Sequence, residues 1–382
     1  MRAPLLLLLP CLVACGPQET PLVRATDAAA DRPEDSGALN CVDGLTYPIS
    51  DDFQFSLLTP SNRGTVGLTW VDATTRRRFV AEFDGEGREL PNRLEIAGEL
   101  GVLHPSLTPA GNGWWVAFHN HWRRGQWAVY LNRVELGTAV DSFVGNSIPV
   151  SFPEDPESQR PILETDATGN VNVAYRRNFT LVLARFDSSG TPAERGEVLM
   201  GPPLHWARDL LPLDDGGALV TARSTASPEA HQFFLQRFDA TGAFVETSIE
   251  EPLLASDAAL TTDRRNLVLA TVTEAAPETL SLRNVDGAGR VGPEILIPLG
   301  EQMSDVAIAT SPGGFGVILA GSAGPIYLRL ALDGEVLVRG ALTPGSPRRL
   351  SVAPTDDGEF LAAWTDEAVD PPLGHVVRPC GR

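Results

Sequence analysis

Apolar positions along this chain fall into short runs that are separated by glycine-containing turns. The segment from Arg160 to Arg195 shows the order most clearly: an apolar run, a turn ending at Gly169, a second apolar run, a polar hairpin, a third apolar run over Leu181–Phe186 and an Asp-x-x-Gly turn. Short apolar runs bounded by such turns are typical of β-strands. The same order returns along almost the whole chain, and no stretch predicts a helix convincingly.

The repeat can be measured from the turn that precedes its second strand. The anchor residues are Gly64, Gly113, Gly169, Gly216, Arg265, Gly313 and Gly358, with spacings of 49, 56, 47, 49, 48 and 45 residues. A period of about 40–50 residues with four short strands is typical of a propeller blade, because one such sheet cannot bury both faces alone. We therefore predict an all-β fold, a seven-bladed β-propeller of four-stranded antiparallel blades. Six or eight blades stay open, because the second unit has a degenerate turn and one anchor is an arginine.

A second recurring feature is a turn after the third strand, clear in four units and degenerate in two more. It is seen at Asp84–Gly87, Asp187–Gly190, Asp239–Gly242 and Asp286–Gly289. Aspartate caps its own backbone in such turns, and glycine adopts a positive φ without cost. From about Gly44 to Gly381 the chain resembles a bacterial β-propeller protein. The resemblance rests on the repeat period, since no Trp-Asp dipeptide closes the blades, the sialidase box is absent and no Kelch double glycine stands in register.

The amino terminus has the pattern of an export signal. Residues 1–14 combine one positive charge, Arg2, with an apolar core that is too short to span a bilayer. The signal ends in Leu12-Val13-Ala14-Cys15, which resembles the bacterial lipobox. That resemblance implies cleavage before Cys15 and acylation of this residue, giving a lipoprotein anchored in a membrane. The alternative is an ordinary signal peptide with a chance cysteine.

The lipobox interpretation also predicts the domain layout and the location. Residues 15–40 are rich in small, polar and acidic residues and would form a lipidated flexible tether, followed by the propeller at 41–382. Gly16 follows the cysteine where an aspartate would retain enteric lipoproteins in the inner membrane. We therefore expect the protein in the cell envelope, at the outer membrane of a Gram-negative bacterium.

The ends of the propeller predict how its ring closes. The last unit has three strands, while the segment Leu45–Ile49 lies before the first unit and belongs to no blade. We predict that this N-terminal segment supplies the fourth strand of the last blade, where Pro48 is tolerated because the strand lies at an edge. Cys41 and Cys380 flank the two strands, and an exported protein meets an oxidising compartment, so we predict a disulfide bond between them.

Charge narrows the choice of partner. The formal net charge is −19, which disfavours nucleic acid because phosphate binding needs a basic face. We expect a monomer, attached to the membrane by its lipid, with an envelope protein or a glycan as partner.

One hairpin is the most aromatic and basic stretch of this acidic chain. Its candidate binding residues are His119, His121, Trp122, Arg123, Arg124 and Trp127. The long connection from Ser147 to Pro161 should lie on the same face of a propeller, and long loops on rigid scaffolds often carry function. Tryptophan and arginine are frequent in recognition sites. A metal site between His119 and His121 would lack a third ligand, and a solvated hairpin without function is the remaining interpretation.

No catalytic motif is recognisable: G-x-S-x-G, H-E-x-x-H and the P-loop are all absent. We predict neither a cofactor, nor a metal, nor catalytic residues. The function predicted best is a protein-binding or scaffold module of the envelope, similar in role to the propeller lipoproteins that help assemble outer-membrane proteins. The alternatives are a carbohydrate-binding or carbohydrate-active propeller and a surface protein without a discrete site.

Overall fold

Every regular element in the described part of the chain is a β-strand. The computed structural model describes residues 44–49, 58–75, 77–91, 93–96, 103–120, 127–135, 147–152, 157–178, 180–198, 204–224, 232–245, 253–254, 257–262, 267–273 and 276–379. These residues form 29 strands and no helix. The described part of the chain therefore contains no helix that could span a membrane. The predicted signal peptide, the tether, Cys15, Cys41 and Cys380 lie outside the described residues.

The strands form seven antiparallel sheets. Blade 1 contains β2 (Thr59–Pro60), β3 (Val66–Val71), β4 (Arg78–Phe83) and β5 (Leu94–Ile96). Blade 2 contains β6 (Leu103–Ala110), β7 (Gly113–Asn120), β8 (Ala128–Val134) and β9 (Ile148–Pro149). Blade 3 contains β10 (Ser158–Thr165), β11 (Val171–Arg177), β12 (Thr180–Phe186) and β13 (Pro192–Val198). Blade 4 contains β14 (Leu204–Pro212), β15 (Ala218–Ser224), β16 (Gln232–Phe238), β17 (Phe244–Val245) and β18 (Leu253–Leu254).

The three remaining blades follow in chain order. Blade 5 contains β19 (Asp257–Thr262), β20 (Leu267–Thr273), β21 (Ala276–Val285) and β22 (Val291–Pro298). Blade 6 contains β23 (Met303–Ser311), β24 (Gly314–Gly321), β25 (Gly324–Leu330) and β26 (Val336–Ala341). Blade 7 contains β27 (Pro347–Pro354), β28 (Phe360–Asp366), β29 (Leu373–Val377) and β1 (Leu45–Pro48). The prediction of a seven-bladed propeller of four-stranded blades is confirmed. In blade 4 the position of the fourth strand is divided between two short strands, β17 and β18, which pair with opposite ends of β16.

The ring closes through its amino-terminal strand, as the sequence predicts. Strand β1 runs antiparallel to β29, with Leu45 opposite Val376 and Pro48 opposite Leu373. Tyr47 of β1 packs its ring on Trp70 of blade 1, with 4.7 Å between the ring centroids. The strand therefore completes the sheet of the last blade, and it contacts the first blade by packing and by a 3.2 Å hydrogen bond from the Ala73 N–H to the Pro48 carbonyl oxygen.

The core consists of seven apolar clusters, one at each interface between consecutive blades in the described residues. Strand β7 shows why. Its side chains alternate, so that Trp114 and Phe118 pack against blade 1 while Trp115 and Ala117 pack against blade 3. A middle strand is buried on both faces, and this explains the near-continuous apolar runs in the sequence.

The predicted Asp-x-x-Gly turns close the outer hairpins. In the turn of blade 3, Asp187 Oδ1 accepts hydrogen bonds from the backbone N–H groups of Ser189 (2.8 Å) and Thr191 (2.9 Å), and Gly190 has a φ of 86°. The turn of blade 4 has the same bonds from Thr241 and Ala243 to Asp239. These turns lie at the end of each blade opposite to the start of its innermost strand.

Candidate functional site

The innermost strands of all seven blades surround a central channel with a cavity of about 240 Å³. Its wall is mainly aliphatic and hydroxylic, with residues such as Leu107, Leu260, Thr261 and Ile308. Charged side chains enter it from blades 3 and 4, namely Glu164, Arg208 and Asp209. The channel is therefore lined by both apolar and polar groups, a few of which are ionisable.

The mouth of the channel is shaped by a bulge in five innermost strands. In the described strand pairs, the register shifts near the start of β6, β10, β14, β23 and β27. A bulge turns a side chain away from the regular alternation, and bulges are frequent beside functional sites. Each of these five bulges contains an ionisable residue: His104, Arg160, Arg208, Asp305 and Arg349.

Three of the five bulge residues have a left-handed backbone. The φ angles are 46° for His104, 51° for Arg160 and 51° for Arg349. For a residue with a side chain this conformation costs about 1–2 kcal/mol, and it persists where the surroundings impose it. The sequence analysis did not identify these residues. The available signal was Pro105 and Pro161, because proline inside a strand marks an edge or a bulge.

His119 lies directly under this mouth, with only 3% of its surface exposed. Its Nδ1 accepts a hydrogen bond of 2.8 Å from the backbone N–H of Arg160, which places the proton of the neutral ring on Nε2. Its ring lies 5.0 Å from that of His104 and meets Trp127 edge-on at 4.9 Å. Burial and the neighbouring His104 and Arg160 hold the pKa of His119 well below its ordinary value. His119 is a neutral support for the bulge of blade 3.

The structure brings together two of the six predicted binding residues, His119 and Trp127, whereas 121–126 lie outside the described residues. The hairpin that ends at Trp127 and the long connection from Ser147 to Pro161 are in contact. The Ser158 N–H donates a 3.1 Å hydrogen bond to the carbonyl oxygen of Trp127. Within the described ranges, no group of three or more histidine, cysteine or acidic side chains could hold a metal ion.

The mouth carries arginine side chains on blades 3 and 7. Burial lowers the pKa of Arg160 to about 10, and the positive charges of Arg176 and Arg349 contribute to this shift. Burial lowers the pKa of His104 to about 3, with further contributions from Arg160 and Arg349. At neutral pH the histidine is therefore uncharged and the guanidinium groups keep their charge. Arg160, Arg176 and Arg349, with the neutral His104, form what we call the arginine side of the mouth.

The other side of the mouth is balanced by carboxylates. Arg208 of blade 4 and Asp305 of blade 6 form an ion pair of 2.7 Å. Asp209, the next residue, accepts hydrogen bonds from the Leu260 N–H (3.1 Å) and the Thr221 hydroxyl (3.3 Å). These bonds tie blade 4 to blades 5 and 6.

Two carboxyl groups in the channel hold protons more tightly than usual. Burial raises the pKa of Glu164 to about 8, and the charge of Asp209 adds to this effect. Burial also raises the pKa of Asp209 to about 6, although the Arg208 guanidinium opposes the shift. Glu164 accepts a hydrogen bond of 3.4 Å from the Thr108 hydroxyl of blade 2. Like charges that act on each other in an apolar channel disfavour double ionisation.

Comparison with known proteins supports the fold. No protein-family model and no curated protein sequence matches this chain. BBS1N in complex with ARL6DN is similar with a TM-score of 0.53 and 9% identity, covering 90% of this chain and 98% of that one. A chain of the mitotic checkpoint complex has a TM-score of 0.52 and 16% identity, with 94% and 100% covered. The Dos1 propeller has a TM-score of 0.50 and 10% identity, with 87% and 95% covered.

Proposed function

We propose that this chain is an exported protein that a lipid on Cys15 holds in the cell envelope, where its propeller binds a protein partner. The five bulges that direct ionisable side chains into one mouth of the channel support a binding role at that face. Two of the structural neighbours, BBS1N with ARL6DN and the mitotic checkpoint complex, are proteins in complexes. The working face would comprise the arginine side of the mouth and the loops around Trp127 and Ser158.

The lipid anchor can be tested directly on the full chain. We expect the protein, produced in a Gram-negative host, to incorporate labelled palmitate and to sediment with the membranes. Cys15→Ser should abolish both properties because the acylated thiol is lost. Cys11→Ser is the matched control, since this residue would leave with the signal peptide. Labelling that survives in Cys15→Ser would contradict the anchor.

The partner role can be tested by capture from a detergent extract of the producing organism's envelope, using the full-length chain. We expect a defined protein to be retained by the native chain and lost from Trp127→Ala and Arg349→Gln. Arg348→Gln is the matched control, because Arg348 is exposed and pairs with Glu367 at 3.7 Å. A protein retained equally by all variants would place the binding face elsewhere.

A second candidate function is cleavage of a glycan, and one observation favours it. Glu164 and Asp209 are two channel carboxyl groups with raised pKa values of about 8 and about 6, and glycosidases use a protonated acid together with an ionised carboxylate. Release of reducing ends from envelope polysaccharide by the native chain, and its loss in Glu164→Gln and Asp209→Asn, would support this function. No release from any envelope polysaccharide would exclude it.

A further inference from the structure

Where the last blade meets the first, three aromatic side chains surround a cation. Tyr47 of β1, Trp70 of β3 and Phe79 of β4 form a row, with ring centroids 4.7 Å apart for the first two rings and 5.4 Å apart for the last two. The guanidinium carbon of Arg93 lies 5.6, 5.1 and 5.3 Å from these three centroids in the same order. Such near-equal distances require the row of rings to curve around the guanidinium group. Each distance is within the range of a cation–π interaction.

A carboxylate completes this arrangement. Both oxygens of Glu89 accept hydrogen bonds from Arg93, one from Nε and one from Nη2, and the Tyr47 hydroxyl donates a further bond of 2.7 Å. Two parallel N–H groups on one carboxylate fix the plane of a guanidinium group, which a lysine ammonium cannot reproduce. The hydrogen bond to Glu89 raises the pKa of Arg93. We call Tyr47, Trp70, Phe79 and Glu89 the guanidinium cage.

The inner side of the guanidinium cage is fixed by packing. Trp70 is 1% exposed and Tyr47 is 7% exposed. Phe83 meets the ring of Tyr47 edge-on, with 6.4 Å between the centroids. The hydrogen bond from the Ala73 N–H to the Pro48 carbonyl oxygen holds β1 on blade 1. Rings held in place before binding lower the entropy that is lost when a ligand binds.

Arg93 is the exposed part of this arrangement. Its side chain keeps 39% of its surface exposed, compared with 16% for Glu89. It stands directly before β5 and is paired with a residue only four positions earlier in the chain. Surface pairs of this kind contribute little to stability. An incoming guanidinium group would regain each contact that Arg93 gives up, so the exchange depends on the other contacts that the ligand makes.

The guanidinium cage lies at the outer rim of the ring. Its parts surround β1, the outermost strand of blade 7, and β5, the outermost strand of blade 1. Trp70 and Phe79 stand opposite each other next to the β3–β4 connection, toward the end of the ring that carries the mouth. The charge of Asp72 also acts on Arg93, and the chain has a formal net charge of −19. This negative surround attracts a cation to the cage.

We propose that an arginine side chain of the protein partner enters the guanidinium cage and replaces Arg93, which fills the cage in the free chain. This inference rests on the proposed function and names the chemistry of the partner's contact. Arg93 is then a built-in competitor, because a partner binds only as tightly as the displaced state allows.

Fluorescence anisotropy with the full-length chain in detergent tests the inference, using a labelled short glycine peptide with one central arginine and its lysine counterpart. Arg93→Ala should bind the arginine peptide with a Kd at least about tenfold lower than the native chain, because the competitor is removed. The lysine peptide should bind this variant at least about tenfold more weakly, since it lacks the planar fork. Adding Glu89→Gln should abolish the gain. Arg93→Lys, which keeps a cation in place, should show a smaller gain.

Arg88→Ala is the matched control. This arginine belongs to the same connection, but it pairs with Asp84 at 2.8 Å and with Glu86 at 2.7 Å, and its side chain is 72% exposed. The variant should bind the arginine peptide as the native chain does. Thermal unfolding of each variant checks that the fold is retained.

Three results would overturn the inference. One is a folded Arg93→Ala or Arg93→Lys that binds the arginine peptide no more tightly than the native chain. Another is equal tightening in Arg88→Ala, which would indicate general charge attraction. The third is displacement of the peptide by tetramethylammonium at lower concentration than by guanidinium ion, which would assign the cage to a quaternary ammonium group. The proposed function is judged separately by capture from the envelope: a protein retained equally by the native chain, Arg93→Ala and Glu89→Gln would keep that function and overturn the role of the cage.

Discussion

At the scale of single residues, burial in and around the channel changes which side chains carry a charge. Burial keeps His104 deprotonated and Glu164 protonated at neutral pH, with pKa values of about 3 and about 8. A guanidinium group behaves differently, because a pKa of about 10 for Arg160 still leaves it charged. At neutral pH Arg160 is therefore charged while the neighbouring His104 is not.

The stability of the ring should fall as the pH rises from 6.5 to 8.5. A glutamate in the unfolded chain has a pKa of about 4.3, so between that value and about 8 the folded ring holds a proton that the unfolded chain has lost. Burial lowers the pKa of His104, so its contribution to stability grows as the pH rises and is complete above about 6.5. Urea unfolding of the native chain should show the decline, and Glu164→Gln should abolish it. The same slope in both proteins would contradict the protonated state of Glu164.

At the scale of elements, the strands and outer turns could be predicted because each is encoded locally. The Asp187 and Asp239 turns need only an aspartate and a glycine at fixed spacing, and the apolar runs follow from burial on both faces. The bulges at His104, Arg160 and Arg349 could not be predicted in the same way. Their conformation is imposed by neighbouring blades. A bulge adds one residue to a strand without interrupting its apolar run, and so the pattern of apolar residues does not reveal it.

A glycine in blade 1 shows how closely neighbouring blades approach. The indole of Trp114 lies against Gly67, where a Cβ atom would come within 2.5 Å of its ring, and the indole N–H donates a 2.9 Å hydrogen bond to Glu82. Gly67→Ala should lower the free energy of unfolding by about 1–3 kcal/mol, because a buried ring must move. Gly287→Ala is the control, since no atom lies within 4 Å of its added Cβ, and its effect should stay below about 0.5 kcal/mol. Equal effects in urea unfolding would contradict this packing.

At the scale of the whole molecule, the ring depends on joining the two ends of the chain. Leu45 lies opposite Val376 in the final strand pair. Cys41 and Cys380, the two cysteines of the predicted disulfide, each stand four positions beyond this pair in the sequence, outside the described residues.

The predicted disulfide bond between Cys41 and Cys380 should be found by peptide mapping without reductant. It would close almost the whole ring, and loop-closure entropy predicts a stabilisation of roughly 5 kcal/mol. Reduction should therefore lower the midpoint of thermal unfolding of the native chain, while Cys41→Ser should be insensitive to reductant. Free thiols at both positions in protein isolated from the envelope would exclude this closure.

The claim that one face of the ring binds an envelope protein is tested most directly by photocrosslinking in intact cells. Val369 and Leu332 are both apolar and 41% exposed, but Val369 lies in the β28–β29 connection at the mouth and Leu332 in the β25–β26 turn at the opposite end. With a photoreactive residue at each position in turn, we predict a discrete protein adduct from position 369 and none from position 332. An adduct from position 332 alone, or from neither position, would contradict the proposed function.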